Sequence, residues 1–317
     1  MHMPNLCKKI LALALALALA AGLALAAAAK PCKQPFAEKE FFETGDYSIC
    51  YRVLPAKGEQ VGRIFFIHGM VSSTIYWEGL AGLFSEAGYM CAMIDLPGFG
   101  YSTREAADVT PKPREEICVE LMEKLAPGEA WIVAGHSMGG GVALNLAILY
   151  PEKVEALLLY AAAGGGGGDH GGNSGSGLMG GLSIDARGFL MTLLLRPLLF
   201  MPPIVKLLAG AANADFWYGL KYDISKIVDP LKLPGTVTSL LYMGERSTPV
   251  DLEKAGALTL PIFLLWAEKD YIVTSDMGAG LTAALPQAES QTMRGGHMFT
   301  EQFPRETFER SMAFLEK

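Results

Sequence analysis

At 317 residues the chain is long enough for a large single core with an inserted subdomain, and 51% hydrophobic against 19% charged residues excludes a disordered chain. Lys and Arg number 26 against 33 Asp and Glu, a net charge of −7 that argues against nucleic acid as a partner. Zinc-type Cys/His spacings, a P-loop and a dinucleotide fingerprint are missing, so neither a metal nor an organic cofactor is expected.

Lys8 and Lys9 precede an almost pure Leu/Ala run from Ile10 to Ala29 that ends in small residues before Lys30-Pro31. This is the layout of a secretory signal with an Ala-x-Ala cleavage site, so the expected destination is secreted or periplasmic. Left uncut, the same run of about 20 residues is long enough to anchor the chain in a bilayer. Loss of residues 1–29 leaves 24 basic against 33 acidic residues. It also removes Cys7 and leaves Cys32, Cys50, Cys91 and Cys118 for an oxidising compartment. Cys32 and Cys50, both in the N-terminal arm, form the expected pair. Cys91 in a strand and Cys118 on a helix read as buried apolar fillers.

The apolar strand Arg63 to Ile67 ends in His68-Gly69-Met70, and the strand Met90 to Ile94 ends in Asp95-Leu96-Pro97-Gly98-Phe99-Gly100. A third apolar run, Trp131 to Ala134, leads into Gly135-His136-Ser137-Met138-Gly139 and then into a helix-compatible stretch. This G-x-S-x-G between strand and helix is the pattern of an elbow that lifts a serine hydroxyl into the open on a strained turn. The flanking glycines keep neighbouring chains from colliding with that turn. Ser137 is the candidate nucleophile, and the amides of Met138 and of Met70 are the candidate oxyanion donors. His136 is expected to point away from the serine, and His68 to anchor its loop.

After the strand Val154 to Tyr160, 11 of the 18 residues from Gly164 to Gly181 are glycine, the composition of a hinge or mobile loop. From Gly188 to Ala212 the chain turns strongly apolar, broken by Arg196-Pro197 and Pro202-Pro203, which excludes a spanning helix and suggests short cap helices. Their apolar faces are expected to line an acyl slot or to meet a lipid surface. Trp77, Phe216, Trp217 and Met298 are candidate substrate-binding residues. His170 in the glycine-rich segment reads as solvated, and Asp215 and Asp223 read as surface charge.

A serine nucleophile needs a base and a group that holds the base in the right tautomer. His297, in Gly295-Gly296-His297-Met298 after a short strand-like run, is the only histidine downstream of the cap and the candidate base. Asp270 follows the apolar strand Pro261 to Ala267, where a strand end delivers side chains to the carboxyl edge of a sheet. Glu268, two residues nearer the strand, is the rival acid.

His68-Gly69, Asp95 to Ser102, Gly135 to Gly140, Trp266 to Asp270 and Gly296-His297 resemble, in order, the signature segments of the α/β-hydrolase superfamily in its capped esterase and lipase branch. The resemblance spans about residues 45–162 and 250–317, with the cap too divergent to match. It implies a mostly parallel central sheet with helices on both faces, the core in two parts (30–162 and 250–317), and a hinge and helical cap inserted at 163–249. Haloalkane dehalogenases and epoxide hydrolases look similar but carry aspartate where this chain has Ser137. Carbon-carbon bond hydrolases show Gly-Pro-Gly where this chain reads Met70-Val71-Ser72, so that reading is weakened and kept. The expected activity is hydrolysis of carboxylic esters with an apolar acyl or alcohol part, the partner being a small-molecule ester or a lipid. Membrane-surface contact is expected through the cap or an uncleaved N-terminus. The alternatives are a carbon-carbon bond hydrolase or a cofactor-free haloperoxidase or perhydrolase on the same triad, or a non-catalytic ligand-binding protein of the same fold.

Overall fold

The computed structural model describes residues 40–164, 183–199 and 201–317. The signal-like run, Cys32, His170 and the glycine-rich stretch beyond Gly164 lie outside the described residues. A hairpin of β1 (Glu40–Thr44) and β2 (Tyr47–Leu54) is followed by β3 (Gly62–Ile67) and a 3-10 turn at Thr74–Trp77 that runs into α1 (Glu78–Glu86). Then come β4 (Tyr89–Ile94), α2 (Arg114–Leu125), β5 (Trp131–His136), α3 (Met138–Leu149) and β6 (Val154–Tyr160). Among the described residues β6 is followed by the cap helices α4 (Ile184–Leu199), α5 (Pro202–Ala212), α6 (Phe216–Lys221), α7 (Ser225–Leu231) and α8 (Thr236–Arg246). The chain closes with α9 (Leu252–Gly256), β7 (Ile262–Ala267), α10 (Ser275–Ala284), β8 (Glu289–Met293), α11 (Phe299–Gln302) and α12 (Pro304–Leu315).

The eight strands form one sheet in the order β1-β2-β4-β3-β5-β6-β7-β8. β2 runs antiparallel to β1 and β4, and every other pairing is parallel. The strand order reverses at β3, which pairs with β4 on one side and β5 on the other. The loops leaving β3 and β5 therefore diverge, and a crevice opens at the carboxyl edge of the sheet there. His68-Gly69-Met70 leaves one of these strands and Ser137 the other.

Side chains alternate across the sheet, and both faces are covered. Phe65, Ile67, Trp131, Val133, Leu157 and Leu159 pack with Cys118, Leu121, Leu144 and Leu281 on one face. Ile64, Phe66, Ile132, Ala134, Leu158 and Tyr160 pack with Leu80, Phe84 and Phe299 on the other. The central strands read as unbroken apolar runs because each residue, whichever way it points, is buried. Each such Val, Leu, Ile or Phe contributes about 1.5–3 kcal/mol.

Two details differ from the sequence reading. Pro197 does not break a helix: α4 runs through it to Leu199, because a proline in the last turn forfeits one backbone bond where the helix is about to end. The break comes at Pro202 and Pro203, which open α5, the helical positions whose N–H groups have no partner to lose. Asp215 is no idle surface charge, since its carboxylate caps α6 by accepting from the Tyr218 amide at 3.0 Å. Cys91 and Cys118 are fully buried, and burial pushes both thiols up. Cys50 is fully buried in β2. Among the described residues no helix is long and apolar enough to cross a membrane.

Candidate active site

Ser137 sits between the last residue of β5 and the first of α3 with φ 53° and ψ −121°, a conformation that side chains other than glycine rarely adopt. The packing around it holds the strain. A Cβ on Gly139 would come within 2.2 Å of the Ile67 carbonyl, and one on Gly135 within 2.5 Å of the Gly139 carbonyl. Helix α3 can thus enter directly under β3, and the elbow is fixed from both sides by Ser137 N donating to Tyr160 O at 3.0 Å and Ala163 N donating to Ser137 O at 2.8 Å.

Asp270 and His297 are brought together from different strand ends. The His297 Nδ1 lies 2.8 Å from Asp270 Oδ2, with side chains 7% and 3% exposed. The second oxygen, Oδ1, accepts the amides of Ile272 and Val273 at 2.8 and 2.9 Å, so the carboxylate has no freedom to turn. A carboxylate can only accept, so Nδ1 carries the proton and Nε2 keeps its lone pair. Glu268 is exposed, and its backbone amide still donates to Met293 O, continuing the β7–β8 ladder. The strand ends too late for Glu268 to compete. No shorter route to this choice existed in the sequence, since both acids follow the same strand.

The loop after β3 is built by two buried polar groups. His68 Nε2 accepts the Leu96 amide at 3.0 Å, so its Nδ1–H donates to the Gly69 carbonyl at 2.6 Å. Holding that carbonyl turns the Met70 N–H of the same planar peptide the opposite way. Burial lowers the His68 pKa and keeps the ring neutral, with the Asp95 carboxylate opposing. Asp95 Oδ1 accepts Thr74 N at 2.6 Å and its Oδ2 accepts Tyr101 N at 2.9 Å, which ties this loop to the one after β4. Val71, next to Met70, is held at φ 58°. The Met70 side chain is 54% exposed, so it forms no wall of a closed pocket.

His136 points away from the nucleophile, as the turn requires, and packs under the base. Its Nε2 donates to the His297 carbonyl at 2.8 Å, and the two rings lie 4.7 Å apart. Burial first, and the neighbouring His297 second, lowers its pKa well below the usual histidine value, so it stays neutral with a buried, unpaired Nδ1. Sequence reasoning assigned it a structural place without the link to His297, and no local pattern carries that link.

The candidate substrate residues fare unequally. Trp77 is fully buried, its ring packed against Phe66, Tyr76, His136 and Tyr160, and it lines no binding surface. The apolar pattern that suggested a pocket wall marked core instead. Phe216 and Trp217 stand on the outside of α6, 53% and 70% exposed. Met298 is partly buried against the core, its sulfur 4.0 Å from Asn213 Nδ2. A small cleft of about 10 Å³ lies beside Val71, walled by Phe99, Ile227, Pro230 and Leu231. Arg104 also lines it but offers no free N–H: Nε, Nη1 and Nη2 donate to Thr236 Oγ1 and the carbonyls of Phe99, Ser102, Gly100 and Pro230 at 2.7–3.1 Å. Burial brings its pKa down to about 10, against the pull of Asp95.

Helices α5 to α8 are joined to the site by polar contacts. His297 N donates to Ala212 O at 2.7 Å, and Glu301 accepts from Tyr222 and Lys226 at 2.9 and 2.8 Å. Among the described residues no group of three His, Cys, Asp or Glu is placed to hold a metal ion.

The chain is similar to several known hydrolases. A 2-hydroxy-6-oxononadienedioate/2-hydroxy-6-oxononatrienedioate hydrolase of a Pseudomonas species is 26% identical over 240 residues, 73% of this chain and 79% of that protein. An esterase of Mycobacterium tuberculosis is 34% identical over 104 residues, a match spanning only about a third of either chain (32% and 33%). The solved structure of a probable hydrolytic enzyme from Pseudomonas aeruginosa superposes with a TM-score of 0.67 at 21% identity, covering 89% of this chain and 96% of that one. The sequence model of the alpha/beta hydrolase family matches residues 64–310, and this chain belongs to that family as a hydrolase.

Proposed function

We propose that the chain is an exported serine hydrolase of carboxylic esters with an apolar acyl or alcohol part, acting through Ser137, His297 and Asp270. The observation that carries this reading is the buried Asp270–His297 pair, whose imidazole packs on the ring of His136, the residue preceding a serine held at φ 53°. In this mechanism His297 Nε2 takes the Ser137 proton as Oγ attacks the ester carbonyl. The oxyanion is held by the amides of Met70 and Met138, the first turned by the His68–Gly69 bond and the second an orphan donor at the start of α3. His297 then hands the proton to the leaving alcohol, and water repeats the sequence on the acyl-enzyme. Export rests on the Lys8-Lys9 and Leu/Ala pattern of residues 1–29.

A second reading, carbon-carbon bond hydrolysis on the same residues, is supported by the dienedioate hydrolase relative, which aligns over most of both chains. A panel of p-nitrophenyl esters against vinylogous 1,5-diketones separates the two. Turnover of the diketones alone would replace the ester reading with the second one.

A further inference from the structure

The outer faces of α5 and α6 are apolar where a surface helix is ordinarily polar. Val205, Ala209 and Gly210 of α5 turn inward, and Gly219 of α6 packs so closely on Gly210 that a Cβ there would come within 2.4 Å of its backbone. What remains outside is Leu207 at 56% exposure, Leu208 at 63%, Phe216 at 53% and Trp217 at 70%, the last two rings edge to face at 5.4 Å. Exposed apolar clusters of this kind mark interaction surfaces.

The charge around this face is opposite to that of the molecule. Residues 183–249 carry seven Lys and Arg against five Asp and Glu, in a chain of net charge −7. Of the nearby acids, Asp215 is occupied with the Tyr218 amide and Gln302, and Asp223 accepts from the Ser225 amide and hydroxyl. Lys206 donates only to the Leu220 carbonyl at 2.8 Å, and neither Lys206 nor Lys221 joins a salt bridge among the described residues. An apolar centre with a basic rim and a tryptophan fits the boundary of an anionic bilayer, where amphipathic rings and lysines settle at the headgroups. A second copy of this chain would set the same lysines against each other.

We propose that the outer face of α5 and α6 docks on anionic phospholipid, with Leu207, Leu208, Phe216 and Trp217 entering the headgroup region and Lys206 and Lys221 meeting the phosphates. The docking goes beyond the hydrolase reading and uses none of its three side chains. It also lies next to the site, since the carbonyl of Ala212 at the end of α5 accepts the His297 amide.

Trp217 is the native reporter, because Trp77 and Trp131 are fully buried and Trp266 is partly buried. The full chain is mixed with vesicles of phosphatidylcholine and phosphatidylglycerol containing brominated phosphatidylcholine, with the Trp217→Phe variant as background. A blue shift and strong quenching of Trp217 are expected, at least tenfold weaker in dependence on lipid concentration for Leu207→Ser/Leu208→Ser. Lys206→Glu/Lys221→Glu is expected to lose the preference for anionic over pure phosphatidylcholine vesicles. Depth quenching, rather than sedimentation, keeps the result independent of any anchoring through residues 10–29. Absence of Trp217 quenching, equal quenching in the double-serine variant, or a concentration-dependent blue shift without lipid would overturn the proposal, the last in favour of a second copy. Ser137→Ala is expected to quench like the wild type, and the double-serine variant to hydrolyse soluble p-nitrophenyl acetate normally, so failure of docking and failure of the hydrolase reading are told apart.

Discussion

The sheet around the elbow and the helices between β6 and β7 are built on opposite terms. In the sheet, both faces of β3, β5 and β6 are sealed by apolar packing, and the strained Ser137 is held by backbone that has no room to relax. In α5 and α6 the interior is small residues, the outside is apolar, and attachment to the rest of the protein runs through polar contacts of Ala212 with His297, of Asp215 with Gln302 and of Tyr222 with Glu301. Strain and precise geometry belong to the region that cannot move. Contact with something else belongs to the region whose anchoring is polar and whose apolar surface is left open.

The largest expected effect tests the rigid side. Asp270→Asn should lower ester turnover by about 10⁴-fold by leaving His297 in the wrong tautomer, while Glu268→Gln should change it by less than about twofold. Steady-state kinetics on one p-nitrophenyl ester checks both, and the reverse ranking would move the acid to Glu268.

Arg104 joins the two regions, bonding the loop after β4 to Pro230 and Thr236. Arg104→Ala should cost about 2–3 kcal/mol in urea unfolding, since several buried carbonyls lose their donor at once. Arg104→Lys should recover little, because an ammonium cannot reproduce the planar fork. A loss under about 0.5 kcal/mol would mean the helices are held by packing instead.

A third expectation concerns acid. His136 is buried neutral with its pKa well below the usual value, and His68 is lowered too. The unfolded chain takes up protons that the folded one refuses, so stability falls as pH drops below about 6.5. The slope from His136 is about 1.4 kcal/mol per pH unit, down to its folded pKa. Urea midpoints at pH 7.5 and 5.5 should show this loss, and His136→Gln should reduce the slope even if it lowers stability at both.

The smallest effect probes the cleft beside Val71. Each added methylene of an acyl chain that packs along this apolar lining should gain up to about 0.8 kcal/mol, so kcat/KM should rise past acetate. A profile that peaks at acetate would assign Phe99, Ile227 and Leu231 to packing alone.

The rigid region was largely legible in the sequence, and the helical one was not. Burial of β3 and β5 on both faces leaves an unbroken apolar run, and the elbow needs glycines at fixed offsets, so both write themselves into local sequence. Ser137 and His297 could be singled out because each follows a strand, whereas Asp270 shares its strand with Glu268 and only the bond to His297 separates the two. Trp77 was misplaced because an apolar residue reads the same whether it lines core or pocket. Phe216 and Trp217 were expected to face a substrate, and only the Gly210–Gly219 contact, made across a turn, decides that they face outward. The bond from His136 to the His297 carbonyl spans 161 residues and has no local trace.

The central claim is that Ser137 is the activated nucleophile, and a fluorophosphonate probe followed by intact-protein mass spectrometry tests it most directly. The account predicts one adduct per chain, mapped to Ser137, absent in Ser137→Ala and strongly slowed in Asp270→Asn. A wild-type chain that stays unlabelled, or an adduct on another residue that persists in Ser137→Ala, would contradict it.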